Sequence, residues 1–198
     1  MHRTLLTGCL VAALAGCKSI DFGWSPTETG CVARGLAEAM EEPGDLPDGD
    51  LGNTDIRIGR LPDTGNGLAV LIHFDRRFGG LGQVTGSPRV RLSVGDWNER
   101  TCTVVMDQVE CPESAEVYQR LASQSLPLGF LFEEPSGLSL MHGTTYYLQV
   151  FDGNGNETRW SYYGSPVHPF QNEIDLAIDG LSRCLSPVRA AYRRGPSN

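Results

Sequence analysis

The chain lacks a hydrophobic run long enough to cross a membrane as a helix. The apolar stretch near its start is stopped by Lys18-Ser19, well short of the about 20 residues that a span requires. Basic residues are also in deficit: 16 Lys and Arg stand against 24 Asp and Glu, a formal net charge of −8. That balance argues against a nucleic-acid partner, whose phosphates demand basic patches, and against electrostatic attraction to anionic lipid. There is no CxxC pair, and His73, His142 and His168 lie far from one another and from the cysteines, so no metal or other cofactor is expected. Pro135-Ser-Gly-Leu-Ser139 does not make the strand-to-helix elbow of a serine hydrolase. The acidic pairs Glu41-Glu42 and Glu133-Glu134, like Glu110, read as surface charge. Internal repeats are not apparent, and no acid-base partner stands at motif spacing from any histidine except Asp75, two positions after His73 on the same strand face. No enzyme is expected.

What is present begins with an address. Arg3 precedes an apolar segment, residues 5–14, which runs into Leu14-Ala15-Gly16-Cys17, a basic n-region and an h-region ending in small residues. These residues resemble the lipobox signal peptide of bacterial lipoproteins. A second match, Leu6-Thr7-Gly8-Cys9, leaves too little apolar chain ahead of it for the signal machinery. The resemblance implies that residues 1–16 are removed, that Cys17 receives diacylglycerol on its thiol, and that its new amine is acylated, for instance with palmitate. Several acyl chains anchor stably, since each buried methylene contributes about 0.8 kcal/mol. Lys18 stands where an aspartate would hold such a protein at the inner membrane of enteric-type bacteria, so the outer membrane is favoured. The implied location is the cell envelope, at the periplasm or the outer membrane, with the leaflet left open.

With Cys9 lost in the leader and Cys17 lipidated, Cys31, Cys102, Cys111 and Cys184 remain, an even number in an oxidising compartment, and two disulfides are expected. Four cysteines allow three pairings. Residues 101–111 read as a hairpin with its turn near Met106-Asp107, which sets Cys102 opposite Cys111 and leaves Cys31 to join Cys184.

Residues 17–53 read as a lipidated tether followed by a short helix, with Val32, Leu36 and Met40 on one face, and an acidic linker rich in Gly, Pro and Asp. Residues 54–165 carry strand grammar, with runs at 56–58, 68–74, 89–94, 101–105, 108–111, 130–132, 145–151 and 158–162 separated by turn residues. Val117 and Leu121 mark one short helix among them. Residues 166–198 form a C-terminal extension in which Leu181, Cys184, Leu185, Val188 and Tyr192 fall at helical spacing, with a kink at Pro187 and docking through Cys184. The expected class is mostly β, an antiparallel sandwich with short flanking helices.

Leu140-Met-His-Gly143-Thr144-Thr-Tyr146-Tyr-Leu148-Gln-Val150 resembles the tyrosine-corner segment of fibronectin type III and related immunoglobulin-like domains. The resemblance implies an immunoglobulin-like β-sandwich in which the Tyr146 hydroxyl bonds backbone upstream. Leu148 and Val150 then point to the core while Tyr147, Gln149 and Phe151 point away. The loop Asp152-Gly-Asn-Gly-Asn156 suits a connection between antiparallel strands, and its alternating oxygens also suit calcium. The aromatics Tyr147, Phe151, Trp160 and Tyr162 are the candidate binding patch on the outer face. The function expected from these features is that of a non-catalytic binding or scaffold module, held to the membrane by its lipid. Its partner would be an envelope protein, as an accessory subunit of a complex, or a glycan or solute.

Overall fold

A computed structural model describes residues 29–36, 54–63, 67–79, 87–96, 98–125, 143–151, 157–163 and 168–195. Cys17, the acidic linker, residues 130–132, His142 and the 152–156 loop lie outside them. The strands are β1 (Gly30–Val32), β2 (Thr54–Pro62), β3 (Ala69–Asp75), β4 (Arg89–Gly95), β5 (Thr101–Asp107), β6 (Thr144–Phe151) and β7 (Glu157–Tyr163). The helices are α1 (Glu113–Ala122), α2 (Pro169–Gly180) and α3 (Ser182–Arg193), with a 3-10 turn at Arg76–Gly79.

All seven strands join one antiparallel sheet in the order β1-β5-β4-β3-β2-β6-β7. Strands β2 to β5 form a meander, β6 returns to pair with the free side of β2, and β1 closes the opposite edge. The central strand, Ala-Val-Leu-Ile-His-Phe-Asp, is buried at every position, as a strand covered on both faces must be.

Strand alternation sorts the side chains. Ile56, Ile58, Val70, Ile72, Phe74, Val90, Leu92, Val94, Val104, Met106 and Leu148 form one buried cluster with residues of the three helices. Burying each such side chain contributes about 1.5–3 kcal/mol. Helix α1 presents Val117, Tyr118 and Leu121, α2 presents Phe170, Ile174, Ala177 and Ile178, and α3 presents Leu185, Val188 and Ala191. Among the described residues, three helices rather than a second sheet therefore cover the apolar face. None of these helices is long and apolar enough to cross a membrane.

The disulfides join Cys31 to Cys102 and Cys111 to Cys184, which corrects both expected pairings. Residues 108–110, expected in a returning strand, form a turn. Asp107 Oδ1 accepts from the backbone N–H of Val109 at 2.8 Å and of Glu110 at 3.0 Å, and the Cys111 N–H bonds the Asp107 carbonyl at 2.9 Å. This Asx-type turn leads the chain into α1 instead of back along β5. Cys102 meets Cys31 directly across β1 and β5, with Cα atoms 4.0 Å apart, while Cys111 ties the entrance of α1 to α3. Val32, expected in a helix, lies in β1; the chain is helical at Leu36, which is buried against Leu61, Ala69 and Leu71.

The C-terminal helices belong to the core. Helix α2 begins at a cap made by His168, whose Nδ1 accepts from the Phe170 N–H at 3.1 Å while Gln171 Oε1 accepts from the His168 N–H at 2.8 Å. Pro169 occupies the first turn, where its missing N–H costs nothing. Pro187 lies within α3. At the end of α3, Arg100 donates to the carbonyls of Tyr192 at 3.1 Å and Gly195 at 2.9 Å, satisfying acceptors the helix leaves over.

Candidate functional site

The other face of the sheet is unusual in being polar and buried at once. Of the ten buried polar or charged residues among those described, His73, Asp75, Arg91, Ser93, Thr101, Thr103 and Gln149 lie here; the other three, Ser114, His168 and Gln171, sit at helix starts. An unpartnered polar group in such a place costs about 1–3 kcal/mol, so each partner matters.

Most are satisfied. Ser93 and Thr103, adjacent in register on β4 and β5, share a hydrogen bond of 2.9 Å. Asp75 accepts from Arg77 through both its backbone N–H, at 3.0 Å, and its guanidinium, and faces Arg89 Nε at 3.7 Å. Gln149 anchors a chain toward the β7 edge. Its Oε1 accepts from Arg57 Nη1 at 3.0 Å and from the Tyr147 hydroxyl at 2.7 Å, and its Nε2 donates to Glu157 Oε1 at 2.6 Å. Glu157 also pairs with Arg159, and the hydrogen bond from Arg159 holds its carboxyl below the usual range. The Phe151 ring lies under the Arg57 guanidinium, 5.1 Å from its carbon to the ring centre, a cation–π contact.

His73 is one exception, and the Thr101 hydroxyl is another. His73 is 1 % exposed, and neither Nδ1 nor Nε2 has a hydrogen-bond partner. Its neighbours in register are Arg57 on β2 and Arg91 on β4, so three side chains of the basic type lie in a row across three adjacent strands. Burial first, and then the two guanidiniums, push the His73 pKa well below the usual histidine value. Burial also lowers that of Arg57. His73 makes no hydrogen bond to Asp75, whose oxygens are taken by arginines, so the two do not form an acid-base dyad.

The four aromatics expected to form one patch divide between the two faces. Tyr147 and Phe151 stand on the polar face, half-buried, and serve Arg57 as described. Trp160 and Tyr162 stand on the helix face, their rings stacked with centres 6.1 Å apart, and pack on His168 at 4.9 and 5.5 Å. The alternation read for β6 agrees with Leu148 in the core and Tyr147 and Phe151 turned away, but Gln149 is as buried as Leu148. Among the described residues, the Tyr146 hydroxyl bonds no backbone group upstream. It donates to Asp175 Oδ2 on α2 at 2.9 Å, beside Arg60 Nη1 donating to Oδ1 at 2.9 Å. His168, expected at the surface, is 3 % exposed at its cap.

Sequence reasoning missed Arg57, Arg91 and Gln149. Their signal was positional: each is a polar residue flanked by aliphatic ones in a strand whose opposite face is core. One further cluster, Cys111, Glu113 and Cys184, brings potential metal-ligand atoms within 4.8 Å of one another. Both sulfurs are consumed in the disulfide, so neither offers the thiolate that a metal requires. Comparison with protein-family models, curated proteins and solved structures finds no match.

Proposed function

We propose that the chain is a lipoprotein of the bacterial cell envelope, anchored through lipid on Cys17 with the outer membrane favoured, whose folded part acts without catalysis as a binding or scaffold module. The observation that carries this reading is the partition of the six cysteines. Four are joined in two disulfides, as suits an exported domain, and the other two fall in the leader and at the lipobox. The immunoglobulin-like assignment is the finer part of the proposal. It rests on residues 140–150 and requires a second sheet against the polar face of the one described. An accessory subunit of an envelope complex and a glycan or solute binder are the two forms such a module takes.

Metabolic labelling with palmitate in a producing bacterium tests the anchor. Label is expected in the wild-type chain and in Cys9→Ala, and its loss in Cys17→Ala. An unlabelled wild-type chain with Cys17 in a disulfide overturns the reading. Affinity capture of the lipidated protein from gently solubilised envelope separates the two forms: a stoichiometric protein partner marks the accessory subunit, and a monomer marks the solute or glycan binder.

A further inference from the structure

We propose that the Cys31–Cys102 disulfide is a redox switch: a dithiol reductant opens it in the folded protein and releases β1 from the β5 edge, while Cys111–Cys184 stays closed. The inference goes beyond the binding-module reading and does not depend on the lipid anchor.

Three observations converge. The first is access. Thiol–disulfide exchange requires a thiolate to reach one sulfur of the bond. Cys31 is exposed on the edge strand β1, whereas Cys111 and Cys184 are 0 % and 3 % exposed. An external thiol therefore meets the first bond at Cys31, and it meets the second only after a helix lifts from the core.

The second is what holds each pair together once the bond is cut. Cys111 and Cys184 belong to the cluster through which α1 and α3 pack on the sheet, so their thiols stay together and the bond re-forms. Cys31 is held to Cys102 by a ladder of three residue pairs, Gly30 with Thr103, Cys31 with Cys102 and Val32 with Thr101. So short an edge opens locally at small cost, and the freedom that β1 regains favours the dithiol form. The sequence separations of 71 and 73 residues are nearly equal, so unfolded-chain entropy gives neither bond an advantage.

The third is a tether. Leu36, a few residues after β1, is buried against Leu61, Ala69 and Leu71, and its N–H bonds the Asp96 carbonyl at 2.9 Å. That anchor does not pass through the disulfide, so a released β1 stays attached and Cys31 returns to Cys102 on oxidation. In the closed state β1 pairs with Thr101, Cys102 and Thr103, each 0 % exposed. Opening bares the backbone groups on that side of β5, as at any uncovered strand edge.

The exchange balances without any further reactant. One thiolate of the dithiol attacks the Cys31 sulfur, forming a mixed disulfide and releasing Cys102, which takes up a proton. The second thiol of the dithiol then loses its proton and attacks its own partner sulfur, closing the oxidised dithiol and releasing Cys31 as a thiol. Two electrons and two protons pass from the dithiol to the protein.

The test equilibrates the purified full chain in buffers of reduced and oxidised dithiothreitol, alkylates free thiols after an acid quench and maps the labelled cysteines by mass spectrometry. Cys31 and Cys102 are expected to be half-labelled at a reduced-to-oxidised ratio at least about tenfold lower than Cys111 and Cys184. Hydrogen exchange at an intermediate ratio should show the amides of β1 losing protection while β2 and β3 keep theirs, and transfer to oxidised buffer should restore it. The Cys31→Ala, Cys102→Ala double variant should show the same open β1 with no reductant and no response to the intermediate buffer. Reduction of both bonds together, earlier reduction of Cys111–Cys184, or a β1 that stays protected after Cys31–Cys102 is cut overturns the proposal. Loss of protection across the whole sheet with the first bond also overturns it, since the bond would then be structural.

Discussion

Tyr146 donates its hydroxyl to Asp175 Oδ2 at 2.9 Å, fastening strand β6 to helix α2. Arg60, opposite Tyr146 on β2, holds the other oxygen of the same carboxylate. The tyrosine thus bonds forward to a helix. Tyr146→Phe is expected to cost about 1 kcal/mol, because Asp175 keeps Arg60 and some water. Burial, and then the bond to Asp175, push the Tyr146 pKa from 10.0 up to about 12. Between those values the unfolded phenol ionises while the folded one keeps its proton, so stability falls as pH rises through that window. Urea unfolding at pH 7 and pH 11 should show the Tyr146→Phe deficit shrinking in alkali; a deficit that stays constant would disprove the linkage.

His73 makes the opposite linkage in acid. Its folded pKa lies well below 6.5, from burial first and then from Arg57 and Arg91; Asp75 on its own strand is held by Arg77 and Arg89. As pH falls below about 6.5 the unfolded chain takes up a proton that the folded chain refuses, and stability declines. His168, whose pKa burial also lowers, adds a fall of the same sign. The contribution of His73 is therefore read as a difference: between pH 7.5 and 5 the melting temperature should drop less in His73→Gln than in the wild type. Equal drops would place the imidazole in contact with solvent.

Six of the strands were legible because their β-branched runs end in Gly, Pro or Asp, and α1 because Val117 and Leu121 share a face. What failed had physical causes. The Met106-Asp107 turn passed for a hairpin, although Met106 does not readily take the positive φ that a two-residue hairpin loop needs, and Asp107 turns the chain toward α1 instead. Helix α2 lacked the usual Ser, Thr, Asp or Asn cap, and a capping histidine between prolines reads as a loop. The spacing of Phe170, Ile174, Ala177 and Ile178 would have revealed it. The polar row was hidden because Arg57, His73 and Arg91 are 16 and 18 residues apart in sequence and meet only through strand register.

Gly95, at the end of β4, has no room for a side chain. A Cβ there would stand 2.4 Å from the Arg100 carbonyl oxygen and 2.9 Å from Thr101 Oγ1. The obstacle is backbone, so Gly95→Ala must shift Arg100, which also holds the end of α3, beside Asp96, which accepts from the Tyr192 hydroxyl. A loss of about 2–3 kcal/mol is expected. At Gly59 the nearest atoms are the flexible ends of Leu61 and Leu71 at 3.2 Å, and Gly59→Ala should cost less than 1 kcal/mol after the gain in strand propensity. Chemical denaturation of the two variants side by side decides the point, and equal losses would contradict it.

The two disulfides close loops of nearly equal length, with separations of 71 and 73 residues. The chain-entropy model alone therefore assigns them the same stabilisation, about 4 kcal/mol each. The folded state separates them. Cys31 is exposed and secures a three-residue edge strand, which without its bond can detach locally and regain conformational freedom; its partner Cys102 alone lies in the core cluster, whereas Cys111 and Cys184 both do. Replacing Cys31 and Cys102 together by Ala should cost clearly less than 4 kcal/mol and expose the amides of β1 to exchange while β2 to β5 stay protected. Replacing Cys111 and Cys184 by Ala should cost the full amount or more, since it also leaves space beside Leu185 and the start of α1. Calorimetry with hydrogen exchange distinguishes these outcomes, and equal losses with β1 still protected would show that pairing with β5 holds the edge strand without its disulfide.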